Sequence, residues 1–216
     1  MIDNERIFVV GDIHGCLDML KRLMDKIDWQ PENDGLIFLG DYVDRGKDPK
    51  GVVDYILDMS KASLNVHCLM GNHEKIFIDF ISGGDLSNFF LNGGDKTLSS
   101  YGVEHEWNMD SLIPKEHLSF LYSLLFWVET KDYYIVHAGF RPGVPIPEQT
   151  LEDLIWIRDD FLYSEYDFGK RVIFGHTPFP DPLIMNNKIG LDTGAVYGNK
   201  LTCLELPAFK FHSVKA

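Results

Sequence analysis

The stretch Arg6-Ile7-Phe8-Val9-Val10-Gly11-Asp12-Ile13-His14-Gly15 decides how the rest of the chain is read. A short apolar run ends in a glycine and then in two residues that can bind a metal. Four more times a short apolar run leads to a residue that can bind a metal. Leu36–Leu39 runs into Gly40-Asp41, His67–Met70 into Gly71-Asn72-His73, Tyr133–Val136 into His137, and Val172–Phe174 into Gly175-His176. Short apolar runs bounded by turn residues read as buried strands. In an open α/β sheet, ligands gather outside the carboxyl ends of the strands. These five ends predict that Asp12, His14, Asp41, Asn72, His137 and His176 meet at one edge. Six nitrogen and oxygen donors suffice for two metal ions, an arrangement suited to phosphoester hydrolysis.

Between the runs the period changes. Leu17, Leu20, Leu23, Met24 and Ile27 recur at helical spacing, and Val52, Val53, Ile56 and Leu57 repeat the pattern from Pro49 onward. Asp12, Asp41 and Asn72 fall 29 and 31 residues apart, about one βαβ unit each, so successive parallel strands would end at the same edge. From Glu74 to about Leu125 the pattern is mostly helical, with turn signals at Gly83-Gly84 and Gly93-Gly94. Phe77, Phe80, Ile81, Phe89, Phe90 and Leu91 read as core or lid packing, and the 83–114 segment is expected to cover the site as a lid. Phe126–Val128 and Tyr133–Val136 read as strands, Arg141–Pro147 as a proline-rich loop. Lys188–Leu191, Leu201–Leu206 and Phe209–His212 form a closing run of strands. With no linker or repeat, residues 1–216 are expected to form a single domain.

A chain of 216 residues with 45% hydrophobic and 25% charged content can bury a sizeable core. Its formal net charge is −13, from 33 acidic and 20 basic residues. That balance lacks the basic footprint of a nucleic-acid binder, so nucleic acid is not an expected partner. Glu148, Glu152, Asp153, Asp159, Asp160, Glu165 and Asp167 crowd one stretch that reads as a solvated acidic face. Cys16, Cys68 and Cys203 form no CxxC pair and indicate neither a zinc knuckle nor a disulfide framework. Cys16 lies near an expected helix N-terminus that could lower its pKa, but a packed structural cysteine is the favoured reading. No apolar stretch approaches a membrane span and no signal-peptide pattern opens the chain. A cytoplasmic protein without a membrane partner is expected.

Gly11-Asp12-Ile13-His14-Gly15, Gly40-Asp41-Tyr42-Val43-Asp44-Arg45-Gly46 and Gly71-Asn72-His73-Glu74 resemble the three motifs of the PPP-type metallophosphoesterases. His137-Ala138-Gly139 and Gly175-His176-Thr177-Pro178 supply two later histidine motifs in the same order. The resemblance runs from Arg6 to about Tyr197 and is nearest to the small prokaryotic and phage-type serine/threonine protein phosphatases. It implies a calcineurin-like α/β fold: a central β-sandwich of mixed sheets flanked by helices, with a dinuclear site at the strand C-terminal ends.

Carried over residue by residue, the resemblance implies that Asp12, His14 and Asp41 bind one metal. Asp41 would bridge to a second, held by Asn72, His137 and His176. Manganese is the first expectation, with iron or zinc as alternatives, since these donors suit borderline divalent ions and include no thiolate. A hydroxide shared by the metals would attack the phosphorus in line. His73 would protonate the leaving oxygen, oriented by Asp44. Arg45, and Arg158 in Trp156-Ile157-Arg158, would face the phosphoryl oxygens. Arg141 is a further basic group near the edge.

An alkoxide leaving group needs the His–Asp acid more than a polyphosphate does. Relatives resembling symmetrical dinucleoside tetraphosphatases tend to replace the acid at position 44 and to carry Asp at position 74. The first expectation is therefore a phosphomonoester hydrolase acting on phosphorylated proteins or peptides, and on small aryl phosphates in vitro. The alternative is a dinucleoside polyphosphate hydrolase on the same metals. A non-catalytic phosphopeptide-binding module ranks last, because a pure binder has no use for His73 and Asp44.

Overall fold

The computed structural model describes residues 2, 4–103 and 113–216. Two five-stranded mixed sheets stack face to face. The first has the order β10-β9-β1-β2-β3, built from β1 (Ile7–Val10), β2 (Gly35–Phe38), β3 (Val66–Cys68), β9 (Lys200–Leu206) and β10 (Lys210–Lys215). The second has the order β4-β5-β6-β8-β7, from β4 (Trp127–Glu129), β5 (Tyr133–Val136), β6 (Arg171–Phe174), β7 (Leu183–Ile184) and β8 (Lys188–Gly190). Strands β1, β2 and β3 are parallel, as are β5, β6 and β8, while β9, β10, β4 and β7 run antiparallel to their neighbours.

Alternation along each strand explains the stacking. Ile7 and Val9 of β1 and Ile37 of β2, with Leu39 just beyond it, point to the second sheet, meeting Ile135, Ile173 and Ile189. Phe8, Val10, Leu36 and Phe38 point outward to α1 (Leu17–Lys26) and α2 (Pro49–Ala62). On the far side Val136, Val172 and Phe174 pack beneath α7 (Leu151–Trp156) and α8 (Asp159–Leu162). Every β1 side chain is buried on both faces, which is why the run carries no polar residue. Each such side chain contributes about 1.5–3 kcal/mol of burial free energy.

The helices begin where their residues dictate. Asp48 accepts the Gly51 N–H at 2.9 Å and Pro49 opens α2, an N-cap followed by a residue that needs no donor there. The third helix, α3 (Asn72–Ile81), begins on the third motif itself.

The segment expected to be a lid is instead part of the wall. In its described portion, α4 (Leu86–Leu91) and α5 (Gly94–Ser100) put Phe89 and Leu98 into the core. Phe89 stacks on Phe80 and Phe77 at 4.1 and 5.6 Å. Phe90 and Leu91, expected to pack in the core or a lid, are exposed: a six-residue helix buries one face only. The remainder of the expected lid, 104–112, lies outside the described residues. Helix α6 (Lys115–Tyr122) follows. Among the described residues no helix is long and apolar enough to cross a membrane.

Candidate dinuclear metal centre

The two sheets bring their parallel strand ends to one edge. Asp12, Asp41 and Asn72 follow β1, β2 and β3; His137 and His176 follow β5 and β6. All six residues expected to bind metal are buried. Two clusters form with Asp41 common to both: His14, Asp41 and His73, and Asp41, His137 and His176, with the potential ligand atoms of each within 4.8 Å of one another. His14 Nε2 lies 3.3 Å from Asp41 Oδ2 and His137 Nε2 lies 3.5 Å from Asp41 Oδ1.

Backbone carbonyls set the imidazole tautomers. His14 Nδ1–H donates to Val43 O at 2.9 Å and His137 Nδ1–H to Leu39 O at 2.8 Å. Each Nε2 lone pair is thereby turned inward, the arrangement of metal-ligating histidines. His137 Nε2 then faces the Asn72 Oδ1 carbonyl at 3.1 Å, acceptor against acceptor. His176 Nδ1 also approaches Asn72 Oδ1, at 2.9 Å. Asp12 Oδ2 accepts the His176 N–H at 2.9 Å, while Asp12 Oδ1 and His176 Nε2 are buried with no hydrogen-bond partner. Converging acceptors and orphaned buried donor atoms are costly unless a cation satisfies them. The donor set fits two divalent ions.

The charges agree. Burial, then the facing carboxylates Asp192 and Asp41, push the Asp12 carboxyl well above its usual range, a cost that a divalent cation would offset. Burial alone would raise Asp41 too, but His137, His73 and His14 outweigh it and hold Asp41 well below. Burial, then His137, presses His176 down to about 2, so its imidazole is neutral with a lone pair to give.

Close approach also explains two glycines. A Cβ at Gly71 would overlap Asp41 Oδ1, and one at Gly175 would overlap Asp12 Oδ1. His14, Asp41, Asp44, Arg45 and His176 all have positive φ. Backbone strain of this kind persists where surrounding structure over-determines it, typically at functional sites.

His73 Nδ1 and Asp44 Oδ2 are 2.7 Å apart, both fully buried. The other Asp44 oxygen accepts from Thr97 Oγ1 at 2.5 Å, and the Asp44 N–H donates to that same hydroxyl at 2.9 Å. Arg45 Nη1 donates to His14 Nε2 at 3.0 Å, and its guanidinium lies over Tyr197 at 5.7 Å. Arg158 stands at the rim, where Nη1 reaches Thr177 Oγ1 at 3.4 Å. Arg141 is not free: it binds Asp153 at 2.6 Å and Asp160 at 3.1 Å, so part of the acidic stretch is paired.

The structural roles of three residues went unread in the sequence. Asp192 follows the third parallel strand of the second sheet and accepts the Gly194 N–H at 2.9 Å. Lys188–Leu191 running into Asp192 repeats the opening pattern and could have disclosed it. Thr97 gave no local signal. Glu74 accepts four backbone N–H groups: Asp41 and Gly71 on one oxygen at 2.8 and 3.0 Å, Tyr42 and Val43 on the other at 2.7 and 3.2 Å. Burial, then Asp41, push its carboxyl up to about 8. Four donors nonetheless call for the ionised, acceptor-only form. Cys16 is half-buried, and its thiol is pushed up to about 11 by desolvation, which outweighs the pull of Lys47; this removes the lowered-pKa alternative.

The model of the calcineurin-like phosphoesterase family matches residues 5–210. The chain belongs to this family. Among family relatives, the bis(5'-nucleosyl)-tetraphosphatase PrpE [asymmetrical] of Oceanobacillus iheyensis is 27% identical over 235 residues, covering 97% of this chain and 92% of the relative. The protein of the same name from Bacillus cereus strain AH187 is 28% identical over 233 residues, covering 95% and 92%. A crystal structure provisionally named a diadenosine tetraphosphatase superposes with a TM-score of 0.75 at 22% identity, covering 99% of this chain and 94% of that one. A serine/threonine phosphatase from Saccharomyces cerevisiae gives 0.68 at 15% identity, covering 100% and 84%. These structural likenesses establish the fold, a calcineurin-like sandwich of two mixed sheets flanked by helices. The chain is a metal-dependent phosphoester hydrolase.

Proposed function

We propose that this phosphoesterase hydrolyses dinucleoside polyphosphates, adding water across a P–O–P bond. The order of the two substrate readings drawn from the sequence is thereby reversed. The residue preferences at positions 44 and 74 concerned symmetrical tetraphosphatases, whereas the relatives matched over nearly the whole chain are named asymmetrical. The observation that carries the chemistry is Asp41, buried and shared by two clusters of potential metal ligands.

Asp12, His14 and Asp41 would hold one divalent cation; Asp41, Asn72, His137 and His176 would hold the other, with manganese the first choice. When bound, such a pair polarises phosphoryl oxygens and lowers the pKa of water. Arg45 and Arg158 bind the phosphoryl oxygens through charged N–H donors. His73 delivers a proton from its imidazole to the departing oxygen. Asp44 fixes the ring through Nδ1 and stabilises its charged form.

A second reading, hydrolysis of phosphoserine or phosphothreonine in proteins, is favoured by that same buried pair, because an alkoxide cannot leave without a proton. The deciding experiment compares kcat/KM for diadenosine tetraphosphate and a phosphoserine peptide with added Mn²⁺, in wild type and His73→Asn. A preference for the dinucleotide is expected. A preference for the peptide, lost by orders of magnitude in His73→Asn, would install the second reading instead.

A further inference from the structure

Beside the metal-ligand cluster a cleft of about 610 Å³ opens between the start of α1, the loop after Asp44 and the turn at Ala195–Gly198. Its size is that of a small-molecule site. Arg45 stands in the wall between the two spaces, lining the cleft while its Nη1 lies 3.0 Å from His14 Nε2. Arg45 is thus shared between the metal-ligand cluster and the cleft.

The lining sorts into used and unused groups. Arg22 is tied to Asp18 at 2.9 Å and to Lys215 O at 2.8 Å, and Lys21 turns to the Tyr55 ring at 5.8 Å. Asp48 is spent on capping α2. Lys47 is exposed and, among the described residues, makes no ion pair. In a chain of net charge −13, an unpaired lysine next to Arg45 gives the cleft a local cationic wall. Ala195, Val196 and Gly198 line the cleft from its closing turn, while Tyr197 of that turn stands outside the lining, at its edge, 63% exposed and against the Arg45 guanidinium. An exposed tyrosine backed by an arginine presents a flat apolar face beside a charge.

We infer that this cleft binds the nucleoside-phosphate arm of the substrate that extends beyond the reacting phosphate, with Lys47 on the phosphate chain and Tyr197 against the nucleoside. The assignment rests on the dinucleotide reading above. It also says what separates a dinucleotide from a simple phosphomonoester here: a phosphomonoester ends at Arg45, whereas a dinucleotide fills the cleft. Lys47 and Tyr197 are specificity residues and stand outside the catalytic groups.

The test measures kcat and KM with Mn²⁺ for diadenosine tetraphosphate and for p-nitrophenyl phosphate, in wild type, Lys47→Glu and Tyr197→Ala, with melting curves to establish that each variant is folded. Loss of binding shared by ground and transition states raises KM and leaves kcat in place. The expected result is KM for the dinucleotide raised about tenfold or more in each variant, with kcat and the aryl phosphate kinetics of wild type. If wild type cleaves the dinucleotide and neither variant changes its KM, or both substrates suffer alike, the cleft assignment falls and the dinucleotide reading stands. If wild type cleaves the aryl phosphate and leaves the dinucleotide intact, the dinucleotide reading falls and takes the cleft assignment with it.

Discussion

Thr97 grips Asp44 twice, giving its hydroxyl proton to Oδ1 at 2.5 Å and accepting the Asp44 N–H at 2.9 Å. The carboxylate is thus fixed from α5 while its other oxygen meets His73 at 2.7 Å. Thr97→Val keeps the shape and removes both bonds. We predict that it lowers kcat on an alkyl phosphate by roughly 10–100-fold, a part of the roughly 10²–10⁴-fold that general acid catalysis supplies. On p-nitrophenyl phosphate, whose leaving group needs little help, the loss should be small. Thr97→Ser should restore the alkyl activity. Equal losses on both substrates would mean that Thr97 only supports the fold.

Glu74 should matter to stability as much as to the site. Gln at this position offers one carbonyl to four N–H donors and turns an amide N–H₂ toward the others. Glu74→Gln is predicted to cost about 2–4 kcal/mol, read as a shift in the urea midpoint of the metal-free protein. An unchanged midpoint would show that the loop after β2 holds itself.

Metal removal should lower the melting temperature as well as abolish turnover. A ligand present at 100 times its dissociation constant stabilises the folded state by about 2.7 kcal/mol. Melting curves with EDTA and with excess Mn²⁺ should therefore separate, and Asp41→Asn should bring them together. Coincident curves in wild type would argue against a metal site at these residues.

Acid should weaken the chain through Asp34. Arg6 meets it with Nη2 at 2.6 Å and Nε at 3.0 Å, and the Gln30 N–H adds a third bond at 2.7 Å. Burial acts to raise this carboxyl, but Arg6 and Gln30 outweigh it and hold it below its ordinary value. A depressed carboxyl stabilises the fold above its unfolded pKa and gives that up as pH falls through the folded one. The contribution, about 1–2 kcal/mol, should be intact above about pH 4 and fade below it. Asp34→Asn should lower stability at neutral pH and flatten the acid limb; an acid limb identical to wild type would refute the assignment.

What the sequence made legible follows from how local the signal was. Each βα unit declared itself because apolar run, glycine and donor are contiguous, and Tyr133–Val136 was read to the residue. Asp192 closes a run of the same form but carries no histidine or asparagine beside it, and its role went unread. Thr97 and Asp44 are 53 residues apart, and no pattern within α5 distinguishes that hydroxyl from a core threonine. Leu183–Ile184 is too short to show a period. For Cys16 the position near a helix start left two readings open, and burial decided the direction.

Strand β1 lies between β2 and β9, with Ile7 opposite both Gly35 and Leu206. Its neighbour on one side is made almost at once; the one on the other is nearly two hundred positions further along. The sheet that presents Asp12 therefore stays half-built on the ribosome until β9 emerges. Asp12 thus stands on a strand whose second neighbour is the last but one of the chain's strands to be made.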